Sequence, residues 1–411
     1  MSVCHRAQTG ARNNTSLEEL RDMDAVARRS EARMKPMMEF WGEHLKPLAL
    51  PSLPDGPLVS VLVANYNYGR FLGEAMESVL KQTYQKFEIV VCDDGSTDES
   101  RDILMDFRRK YGQLKVLLQD NEGQSDAILA AFRASCGEII CFLDSDDTFL
   151  PTKLKDLVEA FVHAPEAGFA VHRLTATDGS LRKMRPVPAV GRLVSGWRAP
   201  RMSLSSPQMP WGMPPTSGLA LRRAVAERIL PYLRGRRAFA DSVIQALAPL
   251  VTPIVAIDRP LGLYRVHGEN SLGLRKFTAT ELERLSLRDT ELWCAWRSFV
   301  MTIAADLPPG FPIPPEKIPS VLNYACARIK GEPIAKTLYA DVISGPRFAS
   351  MHWPYRWFWM SSAFLPDRLF EKSFNFVYGQ GSAKLVISRI LHWLRAPRAI
   401  AWKAPAEAKE H

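Results

Sequence analysis

The sequence predicts an α/β fold, a mostly parallel, Rossmann-like sheet flanked by helices, with a helical C-terminal region behind it. Three observations predict it. Short, β-branched apolar runs alternate with segments of helical period between residues 58 and 143. Acidic clusters close two of those runs. Beyond residue 272 the strand signals stop and the pattern turns helical.

VSVLVA (59–64) is the apolar run expected of a parallel strand buried on both faces. The loop Asn65-Tyr66-Asn67-Tyr68-Gly69 follows. Phe71, Leu72, Ala75, Met76, Val79 and Leu80 then share one face at a spacing of about 3.6, which predicts a helix. FEIVVC (87–92) is the second strand, and Ile103, Leu104 and Phe107 mark the second helix. LKVLL (114–118) is the third strand, 124–134 the third helix and EIICFL (138–143) the fourth strand. Such alternation means βαβ units and a parallel sheet with right-handed crossovers. In these sheets ligands bind beyond the carboxyl ends of the strands.

Bulk properties narrow the class. With 46% hydrophobic and 24% charged residues over 411 positions, the disordered and collagen-like classes are excluded. The net charge of +9 suits phosphates, nucleic acid or an anionic lipid surface without choosing among them. The basic residues form no stripe interleaved with aromatics along the sheet, so nucleic acid is not an expected partner. Six scattered cysteines, with no CxxC pair, read as reduced thiols. The N-terminus has no apolar signal core, and no apolar stretch reaches the ~18 residues that spanning requires. A cytoplasmic protein is expected, with three regions: an arm over 1–56, a catalytic domain over 57–272 and a helical region over 273–411. In the arm, 17–45 has the makings of a polar helix, and Pro47, Pro51, Pro54 and Pro57 read as a linker.

The second strand runs into Asp93-Asp94-Gly95-Ser96-Thr97-Asp98 and the fourth into Asp144-Ser145-Asp146-Asp147. Either cluster alone reads equally well as a turn or a helix cap. Together, at the ends of strands in one sheet, they open onto one crevice and repel unless a cation lies between them. Mg²⁺ or Mn²⁺ with a phosphate-bearing ligand satisfies that demand.

On these residues the chain resembles the family 2 glycosyltransferases, the inverting GT-A type found in bacterial polysaccharide synthesis. VSVLVANYNYGRFLGEAMESVLKQTYQKFEIVVCDDGSTDES looks like the family's opening, and NEGQSDAILAAFRASCGEIICFLDSDD like its continuation through the DxD metal motif. PPTSGLALRRAVAERILP (214–231) and RRAFADSVIQALAPLVTPIVAIDRPLGLYRVHGENS (236–271) resemble its later part. The resemblance covers about 57–272 and is weak near 174–210. It implies that Asp93 and Asp94 hold the base and ribose of a UDP-, GDP- or dTDP-sugar, helped by Ala64, Tyr66 and Asn67. Ala64 stands where the family commonly has Pro. Asp126 falls at a polar position near the donor, or else is a first-turn helix acid. Asp144 and Ser145 lie beside the ribose, and Asp146 is the direct metal ligand. Asp241 takes the place of the catalytic base, with Ala240 where many relatives carry Glu. His267 matches a motif that reaches the metal or the diphosphate, and Arg265 is placed to pair with phosphate. The segment 211–218, with Trp211, shapes the acceptor pocket.

Two other functions compete. A sugar nucleotidyltransferase has a Gly-rich loop with Arg after its first strand, where this chain has Asn65–Gly69. A non-catalytic nucleotide-sugar-binding module has no need of Asp94, Asp146 and Asp241.

The C-terminal region carries helical patterns at 278–305 and 318–330 and an aromatic series: Trp353, Tyr355, Trp357, Phe358, Trp359, Phe364, Phe370, Phe374 and Phe376. An amphipathic helix is expected at 383–395, and residues 351–411 carry a net charge of +5. Two readings stay open here. One is a helical layer packed on the catalytic domain. The other is a peripheral contact with a membrane face, which suits a lipid-linked saccharide acceptor.

Overall fold

The computed structural model describes residues 44–186, 193, 195–197, 213–236, 239–267, 277–306, 321–332, 335–344, 348 and 353–378. Most of the helix expected at 17–45, together with Trp211 and the helix expected at 383–395, lies outside the described residues.

The four predicted strands and the helices between them are present. β1 (Val59–Asn65) leads to α1 (Gly69–Leu80), β2 (Phe87–Asp94) to α2 (Ser100–Lys110), and β3 (Leu114–Gln119) to α3 (Gln124–Ala134) and β4 (Ile139–Asp144). These strands stand in the order β3-β2-β1-β4 and are all parallel. Their apolar residues point alternately to two cores. Val61, Ile89, Val91 and Cys141 pack with α1 and α2 on one face. Leu62, Val90, Ile140 and Phe142 pack with α3 on the other.

The second half of the sheet is mixed. β5 (Thr148–Phe149), α4 (Lys153–His163), β6 (Phe169–Thr177) and β7 (Lys183–Pro186) are followed by β8 (Leu219–Arg222) and α5 (Arg223–Ile229). Then come α6 (Ala240–Leu247) and the long β9 (Ile254–Arg265). The sheet continues from β4 as β8-β6-β9-β5, with β7 on β6. β8 is antiparallel to both β4 and β6, while β6 and β9 are parallel. β9 shifts register against β6 around His172 and Arg173, and its far end pairs with β5. That detour matters for function: it brings the end of β9 beside the turn that follows β4.

The proline-rich stretch is seated on the domain. Leu48 N–H donates to the Val251 carbonyl at 2.7 Å, Arg222 donates to the Pro51 carbonyl, and Leu45 joins the α3-side core. Beyond β9 come α7 (Ala279–Ala304), α8 (Val321–Lys330), α9 (Ala335–Ser344), α10 (Trp353–Ser362) and α11 (Asp367–Tyr378). α7 bridges two cores. Its Trp293, Trp296 and Phe299 join the catalytic core, and its Leu282 joins a separate one built from α8–α11. The C-terminal aromatics divide accordingly. Phe358, Trp359, Phe370 and Phe374 are buried, whereas Tyr355, Trp357 and Phe376 are exposed, Trp357 by 67%. Among the described residues no helix is long and apolar enough to cross a membrane.

Candidate active site

The carboxyl ends of β2, β1 and β4 lie side by side because the strands pair in register. Asn65 stands opposite Asp93, and Ala64 opposite Asp144. Each acid that closes a strand is thereby carried to one edge of the sheet.

Asp93 is fully buried and committed to the protein. It accepts from Asn65 Nδ2 at 2.9 Å, Ser96 N at 3.1 Å and Arg101 Nε at 3.2 Å. Asn67 adopts a left-handed conformation (φ 55°). Its Oδ1 accepts from Thr97 N, and its own N–H donates to Ser96 Oγ. These bonds lace the β1 loop to the β2 loop and leave Tyr66 exposed at the rim. Asp94 accepts from Gln119 Nε2, Glu122 N and Gly123 N at 2.8–2.9 Å. Gly95 follows at φ 80°, where an added Cβ would stand 2.9 Å from Asn121 N, so the turn requires glycine. Charge-assisted bonds of this kind hold a loop firmly. The two acids therefore shape this loop.

The turn after β4 concentrates negative charge. Asp144 accepts from Gln124 Nε2 at 3.0 Å, and its N–H donates to Ser217 Oγ. Its carboxyl is pushed up to about 8, first by burial and then by the charges of Asp146 and Asp241. Asp147 is fully buried and likewise driven well up, by burial and then by Asp146 and Asp144. Ser145 Oγ donates to the Ala64 carbonyl at 3.3 Å, tying the turn to β1. Asp146 Oδ2 lies 2.9 Å from His267 Nε2, and the His267 ring packs on Phe71 and Tyr68. Asp146 and His267, each two residues beyond the carboxyl end of its strand, β4 and β9, thus meet.

Arg265 behaves differently from its expectation. Its guanidinium is buried and donates to the Asp146 carbonyl, the Gly179 carbonyl and Glu74, while its N–H donates to Asp147 Oδ1. Those bonds spend it on holding β9 against the turn, away from a phosphate. Asp126 takes the place of a first-turn helix acid, one of its two expected readings. In the first turn of α3, both its oxygens accept from Gly235 N, at 2.9 and 3.2 Å, in the loop before α6.

Asp241 sits in the first turn of α6, partly buried, with Oδ1 accepting from Ser242 N at 2.6 Å. Burial raises its carboxyl, against the opposing influence of Ser242 and the charge of Arg288. Its own charge reaches Asp144 and Tyr264, so α6 faces the β4 turn.

Sequence reasoning passed over several contributors. Lys153, the first residue of α4, is fully buried, donates to the Ser217 carbonyl at 2.7 Å and stands 3.3 Å from the Phe149 ring centroid. Burial drops its ammonium to about 7. Ser217 joins that lysine to the Asp144 backbone. Nothing in the pattern around Lys153 separates it from an exposed helix lysine. Asp147 stood in the quoted DSDD run and lacked only a partner to give it meaning.

A divalent cation fits what is present, though among the described residues no three His, Cys, Asp or Glu side chains form a metal cage. The pair Asp146 and His267 supplies two ligand atoms 2.9 Å apart beside Asp144 and Asp147, whose carboxyls are raised by burial and then by the charge of Asp146. Mg²⁺ and its like commonly take one or two protein ligands and complete their shell with phosphate oxygens and water.

Residues 60–229 match the family model described as Glycosyl transferase family 2. An uncharacterized glycosyltransferase of Nostoc sp. is 37% identical over 215 residues, 52% of this chain and 66% of that one. The UDP-Glc:alpha-D-GlcNAc-diphosphoundecaprenol beta-1,3-glucosyltransferase WfgD of Escherichia coli is 36% identical over 102 residues, 25% of this chain and 40% of that one. The chain thus spans at most about two thirds of these relatives' lengths. Among solved structures, S. aureus TarS superposes with a TM-score of 0.43 at 18% identity, over 72% of this chain and 91% of that one. Through residues 60–229 the chain belongs to the glycosyltransferase family 2.

Proposed function

We propose that the protein is an inverting glycosyltransferase that moves a sugar from a nucleotide-diphosphate sugar to a hydroxyl acceptor. One observation carries this reading. Asp144, Asp146 and His267 gather at the end of β4, and Asp241 faces them from α6 close enough for its charge to act on Asp144. A dense set of acids is costly without a cationic ligand, and the nucleotide diphosphate of a sugar donor with its cation is the ligand that suits it.

In this reading Asp146 and His267 hold Mg²⁺ or Mn²⁺, which when bound stabilises charge on the departing diphosphate. The loops laced by Asp93, Asp94 and Asn67, with Ala64 and Tyr66 at the rim, seat the nucleotide. Asp144 and Ser145 lie toward the ribose. Asp241 takes the proton from the acceptor hydroxyl while that oxygen bonds to the anomeric carbon. The bond to the diphosphate breaks, and its electron pair leaves with the nucleotide. Attack on the face opposite the leaving group inverts the centre.

The acceptor is a glycan or lipid-linked saccharide, a reading supported by the lipid-linked substrate in the E. coli relative's name. Exposed Trp357, Leu369 and Phe376 on α10 and α11 favour work at a membrane face on the cytoplasmic side.

The test is calorimetric titration of the full chain with UDP, GDP and dTDP, with and without Mn²⁺, beside Asp146→Asn. Metal-dependent binding of one nucleotide, weakened at least about tenfold by the substitution, is the expected result. Failure to bind any of the three, with and without metal, overturns the proposal.

A further inference from the structure

The turn that presents Asp241 is held by a helix outside the matched family segment. α6 is preceded by Phe239 in a left-handed conformation, φ 66° and ψ 41°. That region is costly for a residue with a Cβ and persists only where surrounding structure imposes it. A contact on that residue comes from α7: the Arg288 guanidinium carbon lies 4.8 Å from the Phe239 ring centroid, within cation–π range. α7 itself is anchored, since its Leu292, Trp293 and Trp296 share a core with Ala240, Val243 and Ile244 of α6. Arg288 is three-quarters covered, with Asp289 at 3.9 Å.

We propose that Arg288 is a positioning residue of the transfer reaction: stacked on Phe239, it fixes the turn that presents Asp241 and brings a positive charge within reach of that carboxylate. The inference rests on Asp241 as the base. The charged surroundings of Asp241 fit it. From β4, Asp144 lies within reach of the Asp241 charge. On α6 itself the Ser242 backbone and hydroxyl donate to it. From the preceding loop, Arg236 is engaged with the carbonyls of Tyr232, Arg234 and Glu291, and Gly235 with Asp126. Arg288 is the cation whose charge favours ionised Asp241, against the burial that disfavours it. Such a cation opposes the burial that favours the neutral acid, and the held turn fixes the angle of the carboxyl to the acceptor hydroxyl.

The test uses the full chain with the nucleotide-sugar whose nucleotide binds in titration. The acid limb of kcat/KM against pH is measured for the wild type, Arg288→Gln, Arg288→Lys and Asp241→Asn, with nucleotide Kd alongside. Arg288→Gln is expected to move the limb up, because the opposing charge is lost, and to lower kcat at neutral pH roughly tenfold, with nucleotide Kd unchanged. Arg288→Lys is expected to return the limb to its wild-type position, because the charge is restored. An Arg288→Gln profile that keeps the wild-type limb overturns the inference, as does a rise of more than about tenfold in its nucleotide Kd, the mark of a merely structural role. Asp241→Asn separates the two failures. If it retains wild-type turnover, the base assignment itself falls. If it is inactive while Arg288→Gln is unshifted, only the role of Arg288 falls.

Discussion

The two sides of the acidic crevice are assembled in different ways. On the β1–β2–β4 side each functional group lies within three residues of a strand end, and parallel register alone sets Asn65 against Asp93 and Ala64 against Asp144. On the base side the links between elements are remote in sequence. Asp126 reaches Gly235 across 109 residues, and Arg288 of α7 stacks on Phe239; His267 comes from the end of β9 to meet Asp146 across 121. One side is a property of strands and the turns after them. The other is a property of how later helices and β9 return to the sheet. A site divided in this way should lose donor binding and turnover separately when its two sides are altered.

The most disruptive test of that division is Asp241→Asn. The amide keeps the size of the side chain and loses the base, so kcat should fall by about 10²–10⁴-fold. Nucleotide affinity, measured by titration with Mn²⁺, should remain within about twofold of wild type, well under the tenfold that 1.4 kcal/mol represents. A large loss of nucleotide affinity would join the two sides and break the comparison.

The same division explains what the sequence revealed. β1 to β4 and their helices were legible because a parallel strand buried on both faces is a continuous apolar run, and helix periodicity is local. The observed β2, Phe87–Asp94, carries its apolar run directly into the acids. Asp146 and His267 were placed through motifs, and the structure brings them together. Arg265 and Asp126 were placed near phosphate and donor because their neighbours in the chain resemble such positions. Their hydrogen bonds depend on Glu74, Gly179 and Gly235, all far away in sequence. Mixed strands β6, β8 and β9 escaped as a sheet because antiparallel pairing and a register shift leave no single period in the chain. The C-terminal aromatics could not be divided between core and surface for a similar reason: Trp357 and Trp359 are two residues apart, yet one is 67% exposed and the other fully buried.

A smaller effect should come from Lys153, which is joined to the end of β4 through Ser217. Its ammonium lies near 7 in the folded chain, below the ~10.4 of an unfolded lysine. Between those values the unfolded chain binds the extra proton, so this group favours folding more as pH rises from about 7 to 10, and its stabilisation is lost as pH falls through that window. Lys153→Met keeps the packing and removes the titration. The wild-type urea midpoint minus the variant midpoint, measured in EDTA at pH 7, 8 and 9, should therefore increase with pH. Taking the difference cancels the contribution of Cys92, whereas Cys141, Asp144 and Asp147 interact with the Lys153 charge and belong to the effect being measured. The span should be on the order of a few kcal/mol, and a flat difference would remove Lys153 from the network.

The smallest expected effect is the one that best separates two readings of a single residue. Asp126 was expected near the donor or as a first-turn helix acid, and in the first turn of α3 its two oxygens accept from Gly235 N in the loop before α6. Replacing it with Ala removes a charge-assisted bond at an exposed site, worth about 1–2 kcal/mol at most. If that bond serves the base side, the loss appears in kcat, about threefold to tenfold, because the Asp241 turn is held less firmly and the attacking geometry is sampled less often. Nucleotide Kd should stay the same, since the groups that lace the donor loops are Asp93, Asp94, Asn65 and Asn67, none of which bonds to Asp126. An Asp126→Ala variant that binds nucleotide tenfold more weakly at unchanged kcat would move Asp126 back to the donor side. The boundary between the two sides would then run along α3.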